Sequence, residues 1–293
     1  MPRDKPSLHG RSEKGGKGGA LVLLVVIIVI GIIAYSLFFS GPPSVANSAS
    51  LLAQSDLAIK SIGKESFTYS GAIETTSEGK YFGFAVSGEG RIDVSNKRMY
   101  FKVNFENPVT EPGAASNGSV TLESYTVGDD VYINVAGNWG KYKSPGRLWG
   151  DVQFSQKMIE LAKGFDSTVG GKETVNGKET TKVMVTPTLE DLVKVMSSMD
   201  PGLMGDAAAG SLSGIDKGIK SIKMNIWIGT ADFLPVKMDG ILEAETNTVS
   251  PSGVGSAKSD IKMSMSVNLD YKTPFNIVLP SAAQSAVDIL PAA

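Results

Sequence analysis

The side chains able to do chemistry are few in this chain, and they are scattered. Among 293 residues there is no cysteine and one histidine, His9, in the charged N-terminal stretch. Ser–His–Asp and Cys–His schemes therefore lack their base, and zinc sites lack imidazole and thiolate ligands. His9 reads as a solvated tail residue. Disulfides and lipidation on cysteine are excluded for the same reason. Asp129-Asp130 has the composition of a calcium ligand pair, but two adjacent carboxylates beside Gly128 read as a solvated bend. Glu243 and Glu245 share one strand face among polar neighbours, which suits a wet surface better than an acid–base pair. Gly171 to Gly177-Lys178 fails as a phosphate loop: five residues separate the glycines, and Glu179 stands where a hydroxyl is required. No metal or other cofactor is expected.

What remains is apolar surface and its placement. Ala20 to Phe39 reads ALVLLVVIIVIGIIAYSLFF, twenty residues without a charge. As a helix it covers about 30 Å, the hydrocarbon thickness of a bilayer. Arg3, Lys5, Arg11, Lys14 and Lys17 precede it, and no Lys or Arg follows until Lys60. The positive-inside bias puts residues 1–19 in the cytoplasm and the remainder outside. Ser44-Val45-Ala46 offers a small-residue cleavage site, but the apolar run exceeds a normal signal-peptide core. The uncleaved anchor is the reading adopted, with the lipid bilayer as partner through Ala20 to Phe39. The tail carries five cations and two carboxylates, a charge of +3, which leaves −5 of the total −2 on the rest. That balance argues against nucleic acid as a partner.

The elements after the anchor follow from periodicity. Gly41-Pro42-Pro43-Ser44 ends the spanning helix and opens a short linker. Ser50 to Ile62 has an amphipathic helical pattern, as does Asp151 to Phe165, which carries Phe154 and Met158, with Gly170-Gly171 closing it. A third helix follows the capping-box pattern Thr188-Leu189-Glu190-Asp191 and places Leu192, Met196 and Met199 on one side. Elsewhere the period is two: Phe67, Tyr69 and Ile73; Phe82, Phe84 and Val86; Met99, Phe101, Val103 and Phe105; Val131, Ile133 and Val135; Ile222, Met224, Ile226 and Ile228; Ile261, Met263, Met265 and Val267. Such alternation marks antiparallel strands with one buried and one wet face. Turn pairs separate them, and Asn176-Gly177 is the strongest hairpin cue. Phe275, Ile277 and Leu279 complete the pattern as a short last strand. Pro201 to Gly218, rich in Gly, Ala and Ser, reads as a long connection.

These elements predict an α+β domain: a curved antiparallel sheet of about ten strands with helices over its concave face, preceded by one transmembrane helix. Three helices do not cover ten strands tightly, so an apolar hollow is expected between the layers. Trp139, Tyr142, Trp149 and Phe154 crowd the junction of a strand and a helix. They suit either a rim that accepts a lipid tail or ordinary core packing. Met196, Met199 and Met204 are adaptable fillers that suit a pocket of variable content or a plain core. The expected ligand-lining set is Trp139, Tyr142, Trp149, Phe154, Met158, Leu192, Met196, Met199 and Met204. Asn117-Gly118-Ser119 is a potential glycosylation acceptor.

Three stretches in order resemble a known family. They are Asp130-Val131-Tyr132-Ile133 running to Trp139-Gly140-Lys141-Tyr142, Glu173 to Val183 around Asn176-Gly177, and Ile226-Trp227-Ile228-Gly229 followed by Leu234-Pro235-Val236-Lys237-Met238. The order is similar to the mycobacterial-type LppX/LprG lipoproteins and, more loosely, to the LolA/LolB lipoprotein carriers, over roughly residues 48–280. The resemblance implies a half-open antiparallel barrel with helices plugging its mouth and acyl chains held within. The chain departs from that family in lacking the acylated cysteine, a role its apolar anchor would take over. The expected organisation is thus a basic cytoplasmic tail (1–19), anchor (20–39), linker (40–47), ligand-binding domain (48–282) and C-terminal tail (283–293). The expected function is to bind lipid or another hydrophobic ligand outside the membrane, without catalysis. A surface structural or interaction domain with a filled core is the alternative, and a carboxylate enzyme the distant third.

Overall fold

Strict alternation of large apolar and small or polar residues leaves each segment one greasy face, and hydrogen bonding lines those faces up. The computed structural model describes residues 48–77, 79–106, 118–143, 154–187, 218–249 and 256–288. Twelve strands form one open sheet. They are β1 (Lys64–Ser77), β2 (Lys80–Asp93), β3 (Arg98–Glu106), β4 (Ser119–Val127), β5 (Asp130–Val135), β6 (Asn138–Lys143), β7 (Asp166–Val175), β8 (Lys178–Thr186), β9 (Ile219–Gly229), β10 (Pro235–Val249), β11 (Ser256–Asp270) and β12 (Val287–Asp288). Among the described residues two α-helices accompany them, α1 (Ser48–Lys60) and α2 (Phe154–Lys163), with a short 3-10 helix at Ser281–Ser285. The strand order is β12-β6-β5-β4-β3-β2-β1-β11-β10-β9-β8-β7, and every pairing is antiparallel except β12 with β6. The described fold is therefore mostly β with few helices, where an α+β domain is expected from the sequence.

Curvature follows from what the sheet must wrap. One contiguous core joins α1 and α2 to residues of seven neighbouring strands, from Met99 and Val103 on β3 to Val183 and Val185 on β8. Laid flat, those strands span about 29 Å, whereas two adjacent short helices are about 20 Å across. The sheet closes this mismatch by bending around the helices. Two glycines on β2 assist. Phe67 lies over Gly90, where an added Cβ would fall 2.2 Å from its ring. Tyr69 lies over Gly88 and donates its hydroxyl across β2 to the Lys102 carbonyl at 2.9 Å.

Several expectations are met and several are corrected. α2 falls within its expected segment and α1 overlaps its own, shifted to start at Ser48 rather than Ser50. The Asn176-Gly177 turn joins β7 to β8 with φ of 51° and 75°, the left-handed pair that a tight hairpin requires. Among the described residues there are twelve strands, not about ten. Gly164, not Gly170-Gly171, follows α2; the Gly170-Gly171 pair lies inside β7 at a register shift. Phe275 to Leu279 forms no strand. It crosses the outer face instead, with the Ile277 carbonyl accepting from Arg98 at 2.6 Å and Lys64 over the Phe275 ring. The sheet gains β12, beyond the expected boundary at residue 282. Among the described residues no helix is long and apolar enough to cross a membrane; Ala20 to Phe39 and the helix expected after Thr188 lie outside them.

Candidate functional site

Register assigns every strand residue to a face, because directly paired residues share one. The row Tyr142, Val131, Thr126, Met99, Ile92 and Glu65 lies on the concave, helix-bearing side. The row Trp139, Asn134, Glu123, Lys102, Glu89 and Thr68 lies on the convex side. Tyr142 and Trp139, expected to share a rim, therefore face opposite ways.

The concave side has two halves. At the end formed by the start of β1, α1 and α2 cover it closely. Leu52, Ile59, Ile159 and Ala162 are fully buried, and Phe154 stacks on Phe67 with ring centroids 4.7 Å apart. Phe154 and Met158 are thus packed core in this half. Asp56 clasps the two helices together, accepting from Lys163 at 2.9 Å and Lys60 at 3.1 Å. Burial pushes the Asp56 carboxyl up, but these two ammonium groups outweigh it and hold the carboxyl below its ordinary range. Ser48 at the start of α1 donates to the Ser167 carbonyl on β7 at 3.0 Å.

Toward the opposite end the long strands β1, β2, β10 and β11 continue past the two helices. Ile73 pairs with Phe84 on one side and Met263 on the other, and Met263 pairs with Leu242, which pairs with Ile222. Ile73, Phe84, Ile261 and Met263 form a second apolar cluster, separate from the main core. Apart from Ile73 these side chains are half-buried. The sequence identified them as the inward residues of strands but not as a site. The signal was present in the lengths of the strands, which exceed what short helices can cover.

A buried carboxylate controls the helix-covered end. Glu65 points inward from β1 and is 1 % exposed. It accepts hydrogen bonds from the Phe154 and Ser155 backbone N–H groups and from the Ser155 hydroxyl. These are the orphan donors of the first turn of α2, so Glu65 caps that helix from a distant strand. Burial drives its pKa up to about 7, and the hydrogen bonds from Ser155 and Phe154 only partly offset this. The Tyr271 hydroxyl is also buried, with Ser155 beside it, and burial together with the Glu65 charge raises its pKa, which the contact with Ser155 only partly offsets. Sequence reasoning passed over Glu65. Its place in the inward series Glu65, Phe67, Tyr69 was the available signal.

The convex face is charged and aromatic. Tyr100, Tyr125 and Trp139 form a ladder with centroids 4.8 and 5.9 Å apart, and Trp227 lies between Lys182 and Lys237 at 4.9 and 4.8 Å. A cavity of about 580 Å³ opens here between Thr68, Asn268, Phe275 and Asn176. Its two cations, Arg91 and Lys178, are engaged by Glu89 at 3.3 Å and Asp232 at 3.4 Å, and its Asp270 carboxylate accepts from the Lys272 and Thr273 backbone N–H groups. Glu243 and Glu245 are likewise held, by Ser221 and by Lys220 and Lys258. No group of three His, Cys, Asp or Glu able to hold a metal occurs among the described residues. Trp149, Leu192, Met196, Met199, Met204 and Asn117 lie outside them.

No protein-family model matches the chain, and no curated protein matches its sequence. Solved structures do resemble it. The lipoprotein LppX of Mycobacterium tuberculosis aligns over 79 % of this chain and 98 % of its own, at 15 % identity and a TM-score of 0.39. LprF from Mycobacterium bovis aligns over 82 % and 99 %, at 16 % identity and the same TM-score of 0.39. A DUF1329 family protein from Desulfovibrio piger covers 78 % and 93 %, at 11 % identity and a TM-score of 0.24. At TM-scores this low the likenesses carry no weight for function, which rests on the chain's own geometry.

Proposed function

We propose that this domain holds the acyl chains of a lipid on the distal half of the concave face, outside a membrane to which Ala20–Phe39 anchors it. The observation that supports this reading is the apolar row Ile222–Leu242–Met263–Ile73–Phe84, which continues past α1 and α2. A surface of this kind on an ordinary exterior would be charged or alternating, as the convex face is. The mechanism is burial alone: each methylene removed from water contributes about 0.8 kcal/mol, so eight contribute on the order of 6 kcal/mol before binding costs. No reacting group is required. In this proposal Leu192, Met196, Met199 and Met204, which lie between β8 and β9 in the sequence, belong to the occupant's surroundings. An acyl occupant fits a protein tethered to the bilayer that would supply it.

The test is lipid content. The full chain, purified in mild detergent, is expected to retain about one lipid per molecule by mass spectrometry. The double substitution Ile261→Lys, Met263→Lys buries two ammonium groups against the occupant, each costing about 2 kcal/mol or more. Retention is expected to fall at least tenfold while the circular dichroism spectrum is kept. Equal lipid content in both proteins would remove the strip from the account. A ligand-free wild type would favour a purely structural domain, the reading consistent with the tightly filled half beneath α1 and α2.

A further inference from the structure

We infer that Glu65 is a proton-controlled latch: an interior carboxylate on β1 that fixes the first turn of α2 against the sheet and releases it as the carboxylate ionises. The inference rests on the reading of the concave face as a lipid site, since α2 is then part of its cover. Three observations carry it. The carboxylate is enclosed, 1 % exposed, with donors from Phe154 and Ser155 converging on its two oxygens. Phe154, the residue so capped, is also the ring stacked on Phe67 two positions along the same strand, so cap and packing hold the same turn. The neighbouring Tyr271 hydroxyl is buried beside Ser155, and its phenol adds no positive charge to offset the carboxylate.

Among the described residues, the charged groups nearby are committed elsewhere. Lys64 and Asp93 pair at 2.7 Å on the opposite face of β1 and β2. Lys163, at the far end of α2, is taken by Asp56 on α1. Asp232 acts on Tyr271 and raises its pKa further. The ionised form of Glu65 is thus stabilised by hydrogen bonds and the helix N-terminus but penalised by enclosure, and enclosure prevails.

The direction of control follows from linkage. With α2 docked the carboxyl titrates at about 7, whereas an undocked, solvated Glu65 titrates at its ordinary 4.5. The docked state therefore binds the proton more tightly. Its extra stability is complete below pH 4.5 and is lost as pH rises to about 7. Acid closes the latch and neutral to alkaline pH loosens it.

The experiment is amide hydrogen exchange of α2 in the full chain in lipid nanodiscs, corrected for intrinsic exchange, at several pH values. The opening constant of α2 is expected to rise about 70-fold between pH 5 and pH 8 and then level off. Glu65→Gln, which keeps an acceptor but cannot ionise, is expected to show a flat profile. A flat wild-type profile, or a Gln variant that follows the wild type, overturns the latch. Should the Gln variant not fold, the carboxyl carbon of wild-type Glu65 is titrated by NMR, and a midpoint near 4.5 overturns it equally. Lipid retention is measured separately, on the same full-chain proteins purified in mild detergent. A latch that titrates in a chain without lipid leaves the latch standing and removes the binding reading; lipid without a titrating latch does the reverse.

Discussion

Gly88→Val is expected to unfold the domain or leave it with a small fraction of its stability. A Cβ at position 88 would lie 1.9 Å from the Lys102 carbonyl oxygen and 2.5 Å from the Tyr69 hydroxyl. The first of these is backbone in a paired strand, so it cannot rotate away. Relief would require separating β2 from β3 or expelling Tyr69, which is 5 % exposed and bonded to that same carbonyl. Overpacking typically costs about 1–3 kcal/mol, and loss of a buried hydrogen bond adds about 1 kcal/mol or more. A backbone clash this close goes beyond the usual case, and a loss of about 4 kcal/mol or more is expected, set against a typical total of about 5–15 kcal/mol. Urea denaturation of the full chain measures it. The control is Ser87→Val, one residue along on the convex face, expected to change stability by less than about 1 kcal/mol. Equal midpoints for the two variants would mean that the curvature of the sheet does not depend on this crossing.

The second large effect is Glu65→Ala, and its size depends on pH. Removing the carboxylate leaves the Phe154 and Ser155 N–H groups and a fully buried Ser155 hydroxyl without an acceptor. Such orphaned groups cost about 1–3 kcal/mol each. Against this, the alanine avoids enclosing a charge. Because the folded pKa is raised to about 7 from 4.5, the contribution of Glu65 to stability is largest below pH 4.5 and declines as pH rises through 7. The variant is therefore expected to lose about 3–5 kcal/mol at pH 5 and about 2–3 kcal/mol less than that at pH 8. Parallel denaturation curves at the two pH values check this. A penalty that grows with pH would show that the ionised form is the better bound one.

Much of the sheet was legible because alternation is a local property. Met99 to Phe105 and Ile261 to Val267 each show their inward row directly, and Asn176-Gly177 announces its own turn. β7 was harder to read. It is an edge strand interrupted by Gly170-Gly171 at a register shift, with little apolar surface to bury and so little pattern to show. Phe275 to Leu279 alternates like a strand yet crosses the outer face, where Ile277 is pinned by Arg98. Its flanking Pro274 and Pro280 lack the donors a ladder needs. β12 has two residues and no periodicity to detect.

The site was legible only in part. Trp139 and Tyr142 are three apart, and on a strand an odd separation puts two side chains on opposite faces. Grouping them by sequence proximity ignored that parity. Phe154 and Met158 look the same in sequence whether they line a hollow or fill it. The distinction depends on Phe67, nearly ninety positions away, which stacks on Phe154 and closes that end. Glu65 is the instructive omission. A carboxylate in an otherwise apolar inward row is a local contradiction, and such contradictions mark places where a distant element supplies the compensation. Here the compensation is the N-terminus of α2.

The central claim is that an acyl chain occupies the distal concave row. The most direct test places a photoreactive p-benzoylphenylalanine at Phe84 in the full chain and irradiates it in native membranes. Position 139, on the convex face, serves as the control. The account predicts that mass spectrometry finds a lipid adduct at position 84 and none at 139. Adducts at 84 made only with the protein's own residues, or equal lipid labelling at both positions, would contradict it.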